Sequence, residues 1–541
     1  MLDNKQDNLV NGNYVSVDEN KVLQLDTQML MRVIKIDDLA TTLGDVKDIV
    51  DEVNENGEHV VFDVASLGQS MYLVSILIEN NRVVISNWLN SDEQFKGFYN
   101  ADILLKDCLY DIGKEIYGIK RQINSSSSTW ERTDNNVGKV ANATKDGTSA
   151  VNDFDYIYPW NEIKTVNMAS DGTINAVIGD DNFKFDGTNG DVMTYIPEFY
   201  WDRYQENGYE YIKVSRDRFT NSKKSEAFYV GRYHTGTGAL SKSGVRPQFS
   251  TSITNFRTQA QAKGSKWQQL DYHYFLLQML YLVEYADYNS QSKLGNGVTS
   301  IRYVATDTAI LDETLTNRIV IATDNSAYEV GTYIYIGTSQ GSTNKADCRK
   351  ITDKVNEDGG TAIYFDGEPV NIAVGNVLWG GAQAEGECDE LGMLSGCLNN
   401  NGRHSNIYRG IENPFGNVYQ FIDGLNIKDN VAYINYKPST YQVDKFDGDY
   451  EALGYVNANA NGYGKAVGYD SEHPMVALDT EIGGGTTTYL CDYYYQNTGN
   501  RIACVGGYFG NGASAGLWYW FLGSGSGVAD LHIGSRLFRT I

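Results

Sequence analysis

Proline is scarce in this sequence, with 7 residues in 541, and cysteine is nearly as rare, with 6. The thiols Cys108, Cys348, Cys388, Cys397, Cys491 and Cys504 form no CxxC pair, and no histidine stands at metal spacing from them, so no zinc site can be read. They read as free thiols of a chain made in a reducing cytoplasm. No apolar run is long enough to cross a bilayer, which excludes membrane insertion. The opening stretch MLDNKQDNLVNGNY has neither a basic start nor an apolar core, so it does not read as a secretory signal, and an extracellular role would need another exit, such as lysis. Basic residues are outnumbered 44 to 69, and a net charge of −25 repels phosphate backbones and excludes nucleic acid as a partner. HExxH and GxxxxGK[ST] are absent.

What is abundant is glycine, at 55, and tyrosine, at 39 against 19 Phe and 8 Trp. Tyr and Trp join an apolar face to a polar edge, which suits contact surfaces. Gly-rich turns between short alternating runs predict a β-rich chain. The length predicts about three or four domains.

The organisation follows from periodicity. Residues 1–57 form an N-terminal attachment segment, with Ile36, Leu39, Leu43, Val46, Val50 and Val53 in a short heptad seam. Residues 58–103 alternate strongly (HVVFDV, MYLVSILI, RVVISNWL) and predict a small β domain with a hairpin turn at Glu79-Asn80-Asn81. A second seam, Leu105, Leu109, Ile112, Ile116, Ile119 and Ile123, predicts a coiled-coil helix over 104–124. Gly113 and Gly118 weaken that helix by roughly 1 kcal/mol each, so it would draw stability from partner chains. Two seams favour a homo-oligomeric stalk, and a homotrimer is expected. Ser125–Ser128 reads as a linker. A buried helix is predicted from Trp267 to about Asp287, apolar nearly all round. Residues 301–380 (RIVIA, YIYIG, TAIYFDG, VNIAVGNVLW) read as a β module inserted between 125–300 and 381–541.

Three motifs in the second half carry a resemblance. YRGIENPFGNVYQFIDGLN at 408–426, RIACVGG at 501–507 and the closing IGSRLFR at 533–539 resemble the formylglycine-generating-enzyme/sulfatase-modifying family. The resemblance implies a C-type-lectin-like fold over residues 130–541, less the insertion. STWERTD (128–134), DFDYIYPW (153–160), FDGTNGDVM (185–193) and YLVEYA (281–286) are similar to a branch of that fold found in phage tail proteins. Residues 505–537, VGGYFGNGASAGLWYWFLGSGSGVADLHIGSRL, resemble the variable region of retroelement-diversified proteins, which hold a fixed scaffold under a changeable ligand-binding face.

The expected fold class is therefore α+β and multidomain, with a C-terminal C-type-lectin-like domain. The expected function is a phage tail-tip adhesin that binds a bacterial surface receptor, glycan or protein, on the virion beside other tail proteins. The alternatives are a structural baseplate or collar protein and a glycan-degrading tip. No catalytic residues are assigned. The family's oxidase chemistry needs a cysteine pair after the Gly-Gly, and YFGNGASAGLWYW has none. Glycosidase chemistry needs two facing carboxyls, which an acidic sequence cannot discriminate.

On 505–537, Gly506, Gly507, Gly512, Gly516 and Gly534 are expected to set turns. Leu517, Leu522, Ile533 and Leu537 should face the core, and Arg536 should be structural. The expected contact residues are Tyr508, Phe509, Asn511, Ser514, Trp518, Trp520, Phe521, Ser524, Asp530 and His532: rigid aromatics for area, short polar groups for hydrogen bonds. Trp518 and Trp520 should share one strand face, opposite Tyr519. No cofactor is expected. The clusters Asp180, Asp181, Asn182, Asp186, Asn189, Asp191 and Asp444, Asp447, Asp449, Glu451 suit either a structural calcium ion or Asx-capped turns, without EF-hand spacing.

Overall fold

The computed structural model describes residues 114–322 and 326–541, together with the backbone of six strands between residues 15 and 90. Strand makes up 38% of it and helix 10%, a β-rich α+β protein. Two compact units are present: Met1–Glu115 with Asp217–Ser222, and Ile116–Arg216 with Lys223–Ile541. Among the described residues, no helix is long and apolar enough to cross a membrane.

In the first unit, Tyr72–Glu79 pairs antiparallel with Arg82–Asn90, in a register that sets Glu79 opposite Arg82. That places a reversal where the alternating runs predict one. His59–Asp63 joins the other side of Tyr72–Glu79, and Val33–Lys35 runs parallel to it. The first heptad seam and Leu105, Leu109 and Ile112 of the second lie outside the described residues.

The rest of the second seam is not helical. Ile116–Gln122 is a strand, paired with Tyr209–Ser215 on one side and Glu131–Asp134 on the other. Both of its faces are buried, so the hydrophobic pattern does not alternate and imitates a helix. Ile is β-branched and suits a strand better than a helix. Gly118 leaves room for the side chains of the neighbouring strand: a Cβ there would fall 2.2 Å from Asp134 Oδ2 and displace it. Ser125–Ser128 consequently links two strands of one sheet rather than two domains. Arg121 holds it by donating to the carbonyls of Ser125 and Ser127.

The second unit rests on three large sheets. A five-stranded antiparallel sheet runs in the order Lys223–Ser225, Phe199–Glu206, Tyr209–Ser215, Ile116–Gln122, Glu131–Asp134. A six-stranded sheet contains Lys164–Met168, Asp191–Ile196 and Phe228–His234, and the C-terminal strand Arg536–Thr540 inserts between Phe228–His234 and Trp267–Gln269. The C-terminal sheet is built around Tyr419–Lys428, Asn500–Gly506, Gly516–Leu522, Tyr493–Gln496 and Gly462–Val467.

Three helices pack with these sheets: α1 (Ile253–Gln261), α2 (His273–Tyr285) and α3 (Ser290–Leu294). Every residue of α2 is buried, as its all-round apolar pattern predicts. It starts later than the pattern suggests, because Trp267–Gln269 is taken up as an edge strand against Arg536–Thr540. Its C-terminus closes on Ala286 in the left-handed conformation, φ 51°.

Residues 301–380 contribute a sheet of their own, ordered Arg318–Ile321, Gly360–Phe365, Ala346–Glu357, Tyr333–Gly337, Val377–Gly380. Ile319, Ile321, Ile334, Ile336, Ile363 and Leu378 fill its separate core. A cluster of charges ties this segment to the chain beyond it. Glu329 accepts from Arg403 at 2.9 Å and from Asn401 at 2.7 Å. His404 lies between Glu329, at 3.4 Å from Nε2, and Glu387, which takes its Nδ1. Burial pushes the His404 pKa down, but the hydrogen bond to Glu387 and the charges of both carboxylates outweigh it and raise it above 6.5.

A raised folded-state pKa stabilises the protein fully below the unfolded value, and that contribution is lost as pH rises through the folded one. We predict that His404→Gln lowers stability by about 1–2 kcal/mol at pH 6. The difference from wild type should shrink above pH 7. Paired urea titrations at the two pH values measure it.

Candidate functional site

The strand Gly516–Leu522 has two faces with different neighbours. Trp518, Trp520 and Leu522 point to α2. The Trp520 indole stacks on Phe275 (5.2 Å between centroids, 24°) and meets Tyr274 edge-on, while Trp518 packs against Tyr281 and Tyr288. Tyr519 and Phe521 point the other way. The expected alternation holds, but the sides are exchanged: Trp518 is 3% exposed and Trp520 0%, so neither is a contact residue. The buried helix decides this, because it needs large partners to fill the space over its Tyr and Phe side chains. Phe509, at 0% exposure, is likewise core, beneath Tyr303, Tyr508 and His532.

The outward face carries a row of aromatic rings. α1 covers one end of it, where Phe256 meets Phe421. Beyond that cover, Phe521 stacks between Tyr419 (5.1 Å, 23°) and Tyr495 (5.2 Å, 23°). Tyr519 packs between Tyr419 and Tyr493, and Tyr493 meets Tyr463 edge-on at 5.5 Å. On the other side Tyr419 touches Tyr508, which meets His532 at 4.6 Å, and His532 meets Tyr303 at 5.3 Å. Tyr463, Tyr493, Tyr495, Tyr508, Phe521, His532 and Tyr303 are each half-buried, so ring edges and faces reach solvent along the row.

Of the contact residues expected from the sequence, Tyr508, Phe521 and His532 lie on this row with Asp530 beside His532, and Tyr303, Tyr419, Tyr463, Tyr493, Tyr495 and Tyr519, which were not among them, lie on it too. A local signal exists only for YYYQ at 493–496, where Tyr494 is buried and its two neighbours are not. Its parallel pairing with the Phe521 strand, which sets Tyr495 beside Phe521, joins distant segments and has no local signature.

The polar candidates are more constrained than a free contact surface would be. Asn511 Oδ1 accepts from the Tyr508 N–H, and the Ser514 hydroxyl donates to the Asn511 carbonyl, so both shape the turn. The Ser524 carbonyl accepts from the Ile502 N–H, and its residue is half-buried. Asp530 receives the N–H and the ring nitrogen of His532, and that hydrogen bonding lowers its pKa below the usual carboxylate range. Burial raises the Tyr519 pKa to about 12 and also raises those of Tyr508 and Tyr419. These phenols stay neutral at physiological pH. Apart from the Asp530–His532 pair, the row carries no charged side chain.

The scaffold expectations hold for Leu517, Leu522, Ile533 and Leu537, all buried. Gly506, Gly507 and Gly512 adopt positive φ as expected. Gly516 and Gly534 do not. Gly516 is instead demanded by the Asp492 carboxylate, 2.2 Å from where a Cβ would lie.

Among the described residues, the thiols and the carboxyls with raised pKa lie outside the row. Burial pushes the Cys491 thiol up to about 12 and raises Cys504 too, so neither is a thiolate at neutral pH. GTSQG at 337–341 and GASAG at 512–516 spell a G-x-S-x-G pattern, but GASAG forms a short 3-10 turn with its Ser514 hydroxyl spent on Asn511. Burial raises the carboxyls of Glu412 (to about 8), Asp202 (to about 6), Asp389, Asp479 and Asp492, and none of these residues belongs to the aromatic row.

The acidic clusters are held by protein groups. Asp180 accepts from Val177, Asp186 from Thr188, and Asp191 pairs with Lys263. Asp449 pairs with Lys437, Asp447 with Lys445 and Glu451 with His473, while Asp444 accepts from Ser526. Among the described residues no group of three His, Cys, Asp or Glu is placed to hold a metal ion.

No family model matches this chain, and no curated protein does.

The two faces of one strand should respond differently to truncation. Trp520→Ala is expected to cost roughly 3–5 kcal/mol, and Phe521→Ala less than about half of that. Shifts in the urea unfolding midpoint, followed by Trp fluorescence, test the difference.

Proposed function

We propose that this chain is a phage-type tail adhesin whose C-terminal, C-type-lectin-like region presents the aromatic row to a ligand on the bacterial surface. The observation that carries this reading is the row itself: half-buried rings from six separate segments, converging on one sheet face and almost uncharged. Monomeric proteins seldom leave such a surface open unless something covers it. Stacked, mutually supporting rings are rigid before they bind, which lowers the entropy cost of association. Their faces suit the apolar faces of sugar rings, and their neutral hydroxyls suit sugar hydroxyls.

The family resemblance gains support from the placement of its motifs. GNVYQF leads into the central strand of the C-terminal sheet, and the closing SRLF forms the inserted strand of the six-stranded sheet. Arg536 of one donates to Gln420 of the other at 2.8 Å. A fixed frame under variable contact residues is the arrangement that retroelement diversification would exploit. Diversification at 505–537 would then act on Tyr508, Phe521, Ser524, Asp530 and His532. Trimerisation through the N-terminal part would multiply weak single-site binding through effective concentration. The chain would work at the virion's tail tip with other tail proteins, after synthesis in the host cytoplasm. No catalytic role is assigned.

Replacing Phe521 and Tyr495 together with Ala should weaken binding of the purified chain to host cells by about tenfold or more. The variant should still unfold in one cooperative transition, with a midpoint lowered by no more than the loss of two half-buried rings accounts for. Unchanged cell binding, with defective particle assembly instead, would favour a structural baseplate or collar role. Release of reducing sugar from host wall material would favour a glycan-degrading tip.

A further inference from the structure

Two aspartates lie in the interior of the C-terminal sheet without a cation bonded to either. Asp479 is 1% exposed and opens the strand Asp479–Ile482, and Asp492 is 3% exposed and immediately precedes Tyr493–Gln496. Neither carboxyl oxygen of Asp479 has a hydrogen-bond partner. Asp492 accepts the Trp518 N–H at 2.8 Å. An unpaired charge in an apolar interior is costly, and a carboxylate placed there sheds the cost by taking up a proton.

Room for both carboxyls is made by glycines on the strands beside them. A Cβ on Gly464 would fall 2.1 Å from Asp479 Oδ1, and one on Gly516 2.2 Å from both oxygens of Asp492. Gly464 also donates its N–H to the Asp492 carbonyl at 3.0 Å. The two acids thus flank one strand, Gly462–Val467, which pairs with Asp479–Ile482 on one side and Tyr493–Gln496 on the other. They are close enough for the charge of Asp479 to oppose ionisation of Asp492.

The groups around them bring no compensating charge. Tyr274 and Tyr281 of α2 and Tyr463 of the middle strand feel the charge of Asp492, as does Cys491 beside it. Tyr288, Tyr455 and Tyr494 feel that of Asp479. Burial raises all six phenols and the thiol, so each is neutral near pH 7. The cations that face these tyrosines are committed elsewhere. Arg203 pairs with Glu210 at 2.5 Å, Arg121 donates to the carbonyls of Ser125 and Ser127, and Arg536 donates to Gln420 and to main-chain carbonyls. Asp287, near Tyr281 and Cys491, pairs with Lys293 at 3.4 Å. Burial accordingly raises both carboxyls well above the ordinary carboxylate range, opposed by the Asp479 N–H in one and the Trp518 N–H in the other.

We infer that Asp479 and Asp492 form a pH-sensitive catch in the C-terminal sheet: protonated at neutral pH, they leave Tyr493–Gln496 and Gly516–Leu522 closed, and alkaline solution opens these strands by drawing off the protons. The same two strands carry Tyr493, Tyr495, Tyr519 and Phe521 on their other face, so opening them also disturbs the aromatic row. The inference rests on the two acids and is independent of what the row binds.

A carboxyl whose folded-state pKa is raised keeps a proton that the unfolded chain has released. Its contribution to stability is fully present below about pH 4 and is lost as pH rises, the unfolding constant growing by up to about tenfold per pH unit for each such group until it ionises in the folded chain. Urea titrations of wild type and Asp479→Asn at pH 5 and pH 8 cancel the titration of other groups. Between the two values the folding constant of the variant should gain about a hundredfold on that of wild type. Two measurements follow the acids and the strands directly. Carbon-13 NMR of aspartate-labelled protein, with Asp479→Asn and Asp492→Asn assigning the signals, should show both carboxyls protonated at pH 7. Hydrogen exchange between pH 6 and pH 9 should accelerate more at 493–496 and 516–522 than at 191–196 of the six-stranded sheet, and Asp479→Asn should remove the excess. Three results would each overturn the inference: both carboxyls ionised at pH 7, one pH profile shared by variant and wild type, or equal acceleration of exchange in the two sheets.

Discussion

The second unit depends on how Arg536 is held. Its guanidinium is 1% exposed, yet all three nitrogens are used. Nε donates to Gln420, one terminal nitrogen to the carbonyls of Gly231 and Arg232, and the other to the carbonyls of Glu412 and Asn413. These acceptors lie on two stretches far apart in sequence, 231–232 and 412–420. Burial lowers the Arg536 pKa to about 10, so the group remains charged at neutral pH, with Glu385 and Glu412 close by. Lysine could not replace it, because one ammonium group lacks the planar fork that reaches five acceptors. Removing it would leave buried carbonyls without donors, a cost of several kcal/mol. The residue that closes the chain thus joins the six-stranded sheet to the strand that starts the C-terminal one.

With that junction in place, the sheet faces divide their work. α2 is apolar on every side and must be enclosed, and the tryptophans of Gly516–Leu522 supply the bulk that encloses it. Alternation then turns Tyr519 and Phe521 to the opposite face, where α1 covers only one end. Rings from neighbouring strands stack across it at about the spacing of cross-strand pairs, so each restricts the motion of the next. The 301–380 segment adds Tyr303 at the far edge, and the charges around His404 and Glu329 hold that segment to the rest.

The same sheet system carries two recesses of contrasting chemistry. The aromatic row is nearly neutral and suits ring faces. The cleft beside Asp191 and Lys263 is polar, with Lys242 and Lys263 set against Asp186 and Asp191.

Much of this was already legible in the residues. The β-rich class, the reversal after Glu79, the burial of α2, the inward Leu517, Leu522, Ile533 and Leu537, and the shared face of Trp518 and Trp520 all follow from periodicity and side-chain chemistry, which act over a few neighbours, whereas the structural role of Arg536 was expected only from its place in the closing motif. The sequence could not decide which strand face met solvent, because Trp518-Tyr519-Trp520-Phe521 is aromatic on both sides and only the position of α2 breaks the symmetry. Nor could it show that Ile116–Gln122 is a strand, since burial on both faces erases the period of two. The assembly of Tyr303, Tyr419, Tyr495, Tyr508 and Phe521 into one row, and of Lys242, Asp191 and Lys263 into one recess, was likewise decided by tertiary structure. Those residues are brought together by pairings between distant strands, and such pairings depend on what the rest of the chain buries.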